Sequence, residues 1–306
     1  MSKRIVVSLA AIVVFGAALG FGRHLLAAHG LPPPDRLSLS APNVSVPLTF
    51  FGGRPVVEVM INGKGPYRFI VDTGAAGTVI SNELARELKL PALQHAQMGR
   101  PGSSTPLDAY VTKIDSLEIG GARAEGMAAV YSDLSRLTSM KPSEDAPRGV
   151  LSAVNFPGWI ISIDFIGARL GIEKGDLPGA DDRTTFEWTN SESIPTVPLR
   201  MADQTFQAHV DSGSGSGITL STSSAARLKL TEKRLDKTPA RFVDSSFPVT
   251  YAKLDAAVTI GKVVVTNPTI RYHDGSAPAN IGQEVLHAFI VRVDAKNRRV
   301  QFIESK

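Results

Sequence analysis

The chain has 306 residues, of which 43% are hydrophobic and 20% are charged, as in an ordinary globular protein with room for two domains. Its formal net charge of +4 does not indicate a nucleic-acid partner, because without Lys3, Arg4 and Arg23 near the N-terminus 30 basic residues face 29 acidic ones. The absence of cysteine excludes a disulfide framework, a thiolate nucleophile, a Cys-ligated zinc site and a lipid-modified N-terminal cysteine.

Residues 1–30 have the pattern of a signal peptide or membrane anchor. Lys3 and Arg4 precede an uncharged apolar run over residues 5–22. The positive-inside rule places everything after this run outside the cytoplasm. We therefore expect an apolar N-terminal helix and a periplasmic or membrane-anchored protein, with a Pro- and Ser-rich linker over 31–45. Whether the leader is cleaved stays open.

Two later stretches of the chain, 46–178 and 194–306, follow one plan. In each, two β-rich runs around a turn lead into an Asp-Thr/Ser-Gly tripeptide, at Asp72 and at Asp211. A short helical pattern follows each tripeptide (NELARELKL and SSAARLKL), and then come long β-rich runs and a last strand ending in Ile-Asp or Val-Asp. The repeat predicts two equivalent lobes joined by a linker over 179–193.

Each half resembles the unit of a retropepsin-type aspartic protease, and the pair resembles a two-lobed, pepsin-like aspartic protease of a bacterial exported type. The resemblance covers nearly all of the chain after the 31–45 linker. It implies an all-β fold made of two retropepsin-like halves, in which Asp72 and Asp211 supply the catalytic carboxylates. It also implies that the three residues after each aspartate support the active-site loops: Thr73, Gly74, Ala75, Ser212, Gly213 and Ser214.

These supporting residues have distinct expected roles. The resemblance implies that the hydroxyls of Thr73 and Ser212 link the two loops by hydrogen bonds. Gly74 and Gly213 suit a tight turn where a Cβ would be costly. Asp164 and Asp294 recur at equivalent positions, but each stands where a strand turns into a hairpin, so we interpret them as turn residues.

The duplicated tripeptide is more specific than a single one. One Asp-Thr/Ser-Gly arises by chance in a chain of this length on the order of a tenth of the time. Two copies at strand ends, with the same order of elements after each, favour an active site over a pair of ordinary turns. The GSGSG run over 213–217 lacks the spacing of a nucleophile elbow, and the histidines form no HExxH-type pair, so we predict neither a metal nor a cofactor.

Two facing carboxyls can hydrolyse a peptide bond without a metal or a nucleophilic side chain. Like-charge repulsion leaves one proton shared between them. The ionised member takes a proton from water, and the protonated member donates to the scissile carbonyl. The sequence therefore predicts an aspartic endopeptidase whose partner is a peptide or protein substrate, working as a monomer with an internal pseudo-dimer. The member that holds the proton, and the cleavage specificity, stay open.

Some residues depart from the family pattern. Ser152 stands where a glycine usually approaches the active loop, and the second loop is one residue longer than the first. A non-catalytic peptide-binding module and a structural envelope protein are therefore alternative interpretations. The glycine-rich segment Gln97–Thr105 is the expected flap. The hydroxyl of Ser214 could donate a hydrogen bond to Asp211 and lower its pKa, whereas Ala75 carries no hydroxyl. Because only one carboxyl gains such a bond, we expect the pair to be less acid-shifted than one with two serines, with activity in the weakly acidic range.

Overall fold

The structure, a computed structural model, describes residues 13–16, 31–99, 106–135, 145–189, 193–236, 240–241, 246–266, 268–274 and 278–304. The elements of the first half, in chain order, are β1 (Val13–Gly16), β2 (Arg36–Leu39), β3 (Asn43–Pro47), β4 (Thr49–Phe51), β5 (Arg54–Ile61), β6 (Lys64–Asp72), β7 (Val79–Ser81), α1 (Asn82–Leu88), β8 (Gln94–Gly99), β9 (Leu107–Ile119), β10 (Ala122–Ser132), β11 (Gly149–Ser152), a 3-10 turn (Ala153–Asn155), β12 (Trp159–Asp164) and β13 (Arg169–Lys174).

The remaining elements are β14 (Thr185–Glu187), β15 (Thr196–Met201), β16 (Gln204–Val210), β17 (Ile218–Ser221), α2 (Thr222–Ala225), β18 (Leu230–Leu235), β19 (Ala240–Arg241), β20 (Ser246–Phe247), β21 (Thr250–Leu254), β22 (Val258–Ile260), β23 (Val263–Val265), β24 (Thr269–His273), β25 (Ala279–Ile281), α3 (Gln283–Leu286), β26 (Phe289–Asp294) and β27 (Arg299–Glu304). Strands dominate the described chain, as the all-β prediction requires.

Three large sheets organise the described strands. The first half has the order β1-β8-β9-β10-β7-β11-β6-β5-β4 with β2 beside β10, and the second half has the order β18-β21-β24-β17-β25-β16-β15-β22-β23. The third sheet is shared, in the order β14-β27-β26-β12-β13-β3, and its centre is the antiparallel pair of β12 from the first half and β26 from the second. The predicted two-lobed β architecture is therefore confirmed.

Matching ladders position the two strands that lead to the aspartates. In the first half β6 lies parallel to β11, which in turn pairs with β7. In the second half β16 lies parallel to β25, which pairs with β17. The loops that follow β6 and β16 therefore leave their sheets at equivalent points.

Local sequence explains the hairpin and the helix around the first aspartate. Asn62 and Gly63 join β5 to β6 with φ values of 51° and 72°, as a two-residue turn with the twist of a β-hairpin requires. Helix α1 begins after Ser81, whose Oγ accepts a hydrogen bond from the N–H of Leu84 at 3.1 Å. Its apolar face is buried, with Leu84 fully inaccessible.

The corresponding helix of the second half is shorter than its sequence pattern predicts. SSAARLKL forms a helix only within Thr222–Ala225, and β18 begins at Leu230. The hydroxyl of Ser221 is shared among Ser223 Oγ, Ser224 Oγ and the Ser224 N–H. Such local hydrogen bonds favour a cap over a helix interior, which limits this helix to about one turn.

The predicted N-terminal apolar helix is not found among the described residues. Within residues 1–30 the structure describes only Val13–Gly16, which is the strand β1 and pairs antiparallel with β8. Pairing with this edge strand satisfies backbone groups that a helix would satisfy internally. The other residues of 1–30 lie outside the described residues. In the described part of the chain no helix is long and apolar enough to span a membrane.

Two apolar clusters form the interior. The larger one runs through both halves and the shared sheet. The smaller one, which we call the first-half cluster, consists of buried residues around the loop after β6: Leu31, Val56, Ile70, Ala75, Val79, Ala96, Met98, Ala109, Val130, Leu134 and Val150. Because Ala75 belongs to it, this cluster adjoins the loop that carries Asp72.

Candidate active site

Asp72 and Asp211 stand at the ends of the two equivalent strands, and both are fully buried. Asp72 is the last residue of β6, and Asp211 directly follows β16. The two loops bring the carboxyls together across the interface between the halves. Each aspartate lies against the glycine of the other half's tripeptide.

Gly74 and Gly213 leave no space for a side chain at this crossing. A Cβ built on Gly74 would lie 2.7 Å from Asp211 Cγ, and one on Gly213 would lie 2.5 Å from Asp72 Cγ. Contacts under 3.0 Å are essentially never made by real Cβ atoms. Each tripeptide thus needs its glycine because the other half's carboxyl occupies the place where a side chain would be.

The hydroxyls of Thr73 and Ser212 form a reciprocal set of four hydrogen bonds. Ser212 Oγ accepts from the Thr73 N–H at 3.0 Å and donates to Val71 O at 2.8 Å. Thr73 Oγ1 accepts from the Ser212 N–H at 3.0 Å and donates to Val210 O at 2.6 Å. All four bonds cross the interface and are buried, so they hold the two loops in one relative position.

The two carboxyls differ in their hydrogen-bond donors. Asp72 Oδ1 accepts from the Gly74 N–H at 2.7 Å, and the Gly213 N–H also stabilises this carboxylate. Asp211 Oδ2 accepts from Asn280 Nδ2 at 2.6 Å. The other oxygen of each pair, Asp72 Oδ2 and Asp211 Oδ1, is buried without a hydrogen-bond partner. The two carboxyls lie within hydrogen-bonding reach of each other, and these two oxygens have no other donor.

Burial shifts both aspartates toward the protonated form. Burial raises the pKa of Asp72 to about 6, against the lowering effect of its two N–H donors and of Arg54. Burial and the charge of Asp72 raise the pKa of Asp211 well above its ordinary value, against the lowering effect of Asn280. The Ser214 N–H and Arg54 also lower the pKa of Asp211, but the negative charge of Asp72 adds to the effect of burial there, which favours the shared proton on Asp211.

Arg54, the first residue of β5, is a buried cation beside this pair, and the sequence analysis did not single it out. Its side chain is 2% exposed, and its Nε donates to Gly213 O at 2.7 Å. Burial lowers the pKa of Arg54 to about 10, while the charges of Asp211 and Asp72 raise it, so the guanidinium is charged at neutral pH. With one proton on the aspartates, the three groups together are electrically neutral.

Polar residues around Gly282 complete the second loop. Gln283 Nε2 donates to Ser212 O at 2.9 Å, and its N–H donates to Ser214 O at 3.0 Å. A Cβ on Gly282 would lie 2.8 Å from the same Ser214 O. The sequence signal for Asn280 and Gln283 was available in ANIGQE, where polar residues replace the apolar ones of VLSAV in the first half.

Ser152 occupies the equivalent of Gly282 in the first half, and it fits. It is fully buried, its Oγ donates to Ala75 O at 2.6 Å, and its N–H donates to Thr78 Oγ1 at 3.2 Å. The serine thus adds a hydrogen bond to the first loop. It gives no support to the alternative of a non-catalytic binding module.

The remaining predicted residues take other places. Ser214 Oγ shares a hydrogen bond with Ser216 Oγ at 2.8 Å, and Ala75 packs in the first-half cluster. Asp164 Oδ1 accepts from the Gly167 N–H, and Asp294 Oδ1 accepts from the Asn297 N–H, as turn residues do. Of the expected flap Gln97–Thr105, only the end of β8 lies within the described residues.

Two cavities lie among the described residues, and neither is lined by the aspartates. One, of about 180 Å³, is lined by both halves, with Ala76, Asn155 and Trp188 in its wall. The other, of about 420 Å³, lies along β5 in the first half. Within the described ranges, no three His, Asp or Glu side chains come together as a metal site would need.

Comparison with known proteins agrees with the repeat. A family model described as Aspartyl protease matches residues 57–153 and matches again over residues 197–286. The two matches fall on the two halves, and each contains one aspartate with its tripeptide. No curated protein matches the sequence at a significant level.

Proposed function

The chain belongs to the aspartyl protease family, and we propose that it is an endopeptidase that activates water between Asp72 and Asp211. The observation that carries the proposal is the crossing of two buried carboxyls, each of which keeps one oxygen without a partner. Paired acid and base groups at the same point are what hydrolysis by activated water requires.

The reaction uses the two aspartates in different protonation states. Ionised Asp72 takes a proton from the water as the water oxygen attacks the scissile carbonyl carbon. Protonated Asp211 donates its proton to the carbonyl oxygen, which gives a neutral tetrahedral intermediate. The C–N bond then breaks as the nitrogen takes a proton from Asp72 and Asp211 recovers its own. No net charge enters the buried site at any step.

Because both aspartates are buried, a substrate can bind to them only after a conformational change. Both aspartates are inaccessible to solvent in the structure. A peptide can reach them only when the segments over the loops move aside, as lids do in many enzymes.

Export and membrane association are part of the proposal and rest on the leader alone. The basic start and the apolar run of residues 5–22 support a chain whose lobes work outside the cytoplasm. The location is tested by adding a protease to spheroplasts, in which the outer membrane is open and the cytoplasmic membrane is intact. Degradation only after the spheroplasts are lysed would contradict export.

The direct test of the proposed activity is incubation of the full chain with a diverse peptide library, with and without a statine-type peptide that mimics the tetrahedral intermediate. We expect internal peptide bonds to be cut and the statine peptide to block the cutting. Peptides that are bound but left intact would identify a non-catalytic binding module instead.

Activity per chain should not depend on enzyme concentration, because both aspartates come from one polypeptide. In the shared sheet, β12 of the first half pairs with β26 of the second half of the same chain, so no second chain is needed to bring the halves together. The measurement is kcat/KM across a thousand-fold dilution. A steep fall with the shape of a dimer dissociation would mean that two chains build the site.

Arg54→Met should shift the pH–rate profile upward by about one pH unit. The wild-type rate should be bell-shaped, with its acid limb near pH 6, because the pKa of Asp72 is about 6 and the active pair holds one proton. The charge of Arg54 lowers the pKa of both aspartates, so its loss raises both limbs. Arg54→Lys, which keeps a charge, is the control and should stay nearer the wild type. Unchanged limbs in Arg54→Met would contradict the role of Arg54.

A further inference from the structure

One row of buried side chains crosses the sheet beside each aspartate, and strand register defines both rows. In the first half the paired positions are Val56, Ile70, Val150, Val79 and Val130, which we call the apolar row. In the second half the equivalent paired positions are Thr196, His209, Asn280, Thr219 and Arg271, which we call the polar row.

The two rows occupy equivalent places relative to the aspartates. Ile70 precedes Asp72 by two residues, and His209 precedes Asp211 by two, so each shares a sheet face with its aspartate. Asn280 also contacts the site directly through its hydrogen bond to Asp211. The rows are therefore the two walls that flank the pair of carboxyls.

The rows have opposite chemistry although both are buried. Every residue of the apolar row is at most 1% exposed, and every residue of the polar row is at most 8% exposed. A buried polar wall costs free energy unless its groups find partners. If the second half needed only a hydrophobic core at these positions, aliphatic residues like those of the apolar row would suffice.

Within the polar row, Arg271 has the most buried polar atoms without a hydrogen-bond partner. It is 3% exposed, and its Nε and Nη1 are buried without hydrogen-bond partners. Its guanidinium stacks over the ring of Tyr251 at 5.6 Å, and Tyr251 is its neighbour on the adjacent strand. The charges of Glu284 and Asp236 act on Arg271, but neither acid bonds to the buried Nε or Nη1. The unpartnered Nε–H and Nη1–H groups point to different edges of the guanidinium, so each is a separate charged donor from which a carboxylate oxygen can accept a hydrogen bond.

The apolar row is packed within the first-half cluster. Leu31, which precedes the first strand after the leader, is 6% exposed and belongs to the first-half cluster together with the whole apolar row. The chain's own side chains therefore cover the apolar row, as in an ordinary core.

We propose that the polar row is a subsite for a substrate carboxylate bound by Arg271. The inference rests on the proposed peptidase function and specifies its substrate class. The carboxylate can come from a Glu or Asp side chain or from the C-terminus of a short peptide.

The test compares kcat/KM for peptides that differ in one residue. The full chain is given a peptide series with Glu or Gln at each position near the cut, each with an amidated or a free C-terminus. We expect one position at which the Glu peptide is cut about 10- to 100-fold faster than the Gln peptide. A preference seen only with the free C-terminus would assign the site to the terminal carboxylate.

Variants separate the subsite from the fold. Arg271→Val installs the residue found at the equivalent Val130, and we expect the Glu/Gln ratio to fall to about one. Arg271→Lys should keep part of the ratio because it keeps the charge. Arg227→Val is the matched control, because Arg227 also stacks on an aromatic ring, that of Phe206, in the same half but is exposed. It should keep the wild-type ratio.

The failures of the two proposals are distinguishable. If the wild-type chain cuts no peptide, the peptidase proposal fails. If it cuts peptides with no preference for a carboxylate at any position, the subsite is wrong and the peptidase proposal stands. Should Arg271→Val fold poorly, calorimetric binding of the Glu and Gln peptides to the otherwise intact Asp72→Asn chain gives the same comparison. Equal affinities there would also overturn the subsite.

Discussion

Replacing Asp72 or Asp211 by asparagine is expected to lower kcat for peptide hydrolysis by roughly 10³-fold or more, since general acid–base catalysis by one group contributes about 10² to 10⁴ and neither carboxyl can do both tasks. Asp72→Asn removes the base that accepts the proton of water. Asp211→Asn removes the acid that protonates the carbonyl oxygen. The measurement is single-turnover hydrolysis of one peptide, and turnover within tenfold of the wild type in either folded variant would contradict the paired mechanism.

The same variants carry their own control for folding. A carboxyl whose pKa is higher in the folded chain than in the unfolded chain stabilises the fold fully below the unfolded pKa, and this stability is lost as pH rises through the folded pKa. For Asp72 the window runs from about pH 4, the usual value for aspartate, through its pKa of about 6 in the folded chain. Asp72→Asn lacks this loss, so its Tm should fall less than that of the wild type between pH 4 and pH 7.

Gly213→Ala and Gly74→Ala are expected to abolish activity by displacing the opposite carboxyl. The new Cβ would lie 2.5 Å from Asp72 Cγ in the first variant and 2.7 Å from Asp211 Cγ in the second. Because the crossing is buried and held by four hydrogen bonds, it cannot open without loss, and we expect a destabilisation of about 1–3 kcal/mol. The measurements are kcat and chemical denaturation on the same preparations.

Gly179→Ala is the matched control for these two variants. Nothing lies within 4 Å of a Cβ built on Gly179, so the substitution has room. Its activity and stability should match the wild type. If Gly213→Ala retained wild-type kcat, the carboxyls would not meet at this point and the geometry of the site would be wrong.

The sequence predicted the fold and the aspartates because their signals are local and repeated. The Asn62–Gly63 turn, the strand into Asp72 and the Ser81 cap are each encoded within a few neighbouring residues. The second copy around Asp211 then identifies the pattern as more than a turn. The family match over both halves confirms the resemblance to an aspartic protease.

The residues that the sequence did not predict depend on long-range contacts. Arg54 reads as a solvent-exposed charge at a strand start, but its partner Gly213 is 159 residues away. The polar row exists only once register pairs Thr219 with both Asn280 and Arg271. The second helix is short because local hydroxyl bonds end it, which the apolar spacing alone does not show.

The central claim is that one chain hydrolyses peptides with Asp72 and Asp211 together, and one digest tests it most directly. Wild-type chain and the double variant Asp72→Asn/Asp211→Asn are incubated with the same peptide library near pH 7, and new peptide termini are counted by mass spectrometry. The account predicts many new termini with the wild type and none above background with the double variant. The same termini at similar yield from both chains would contradict it.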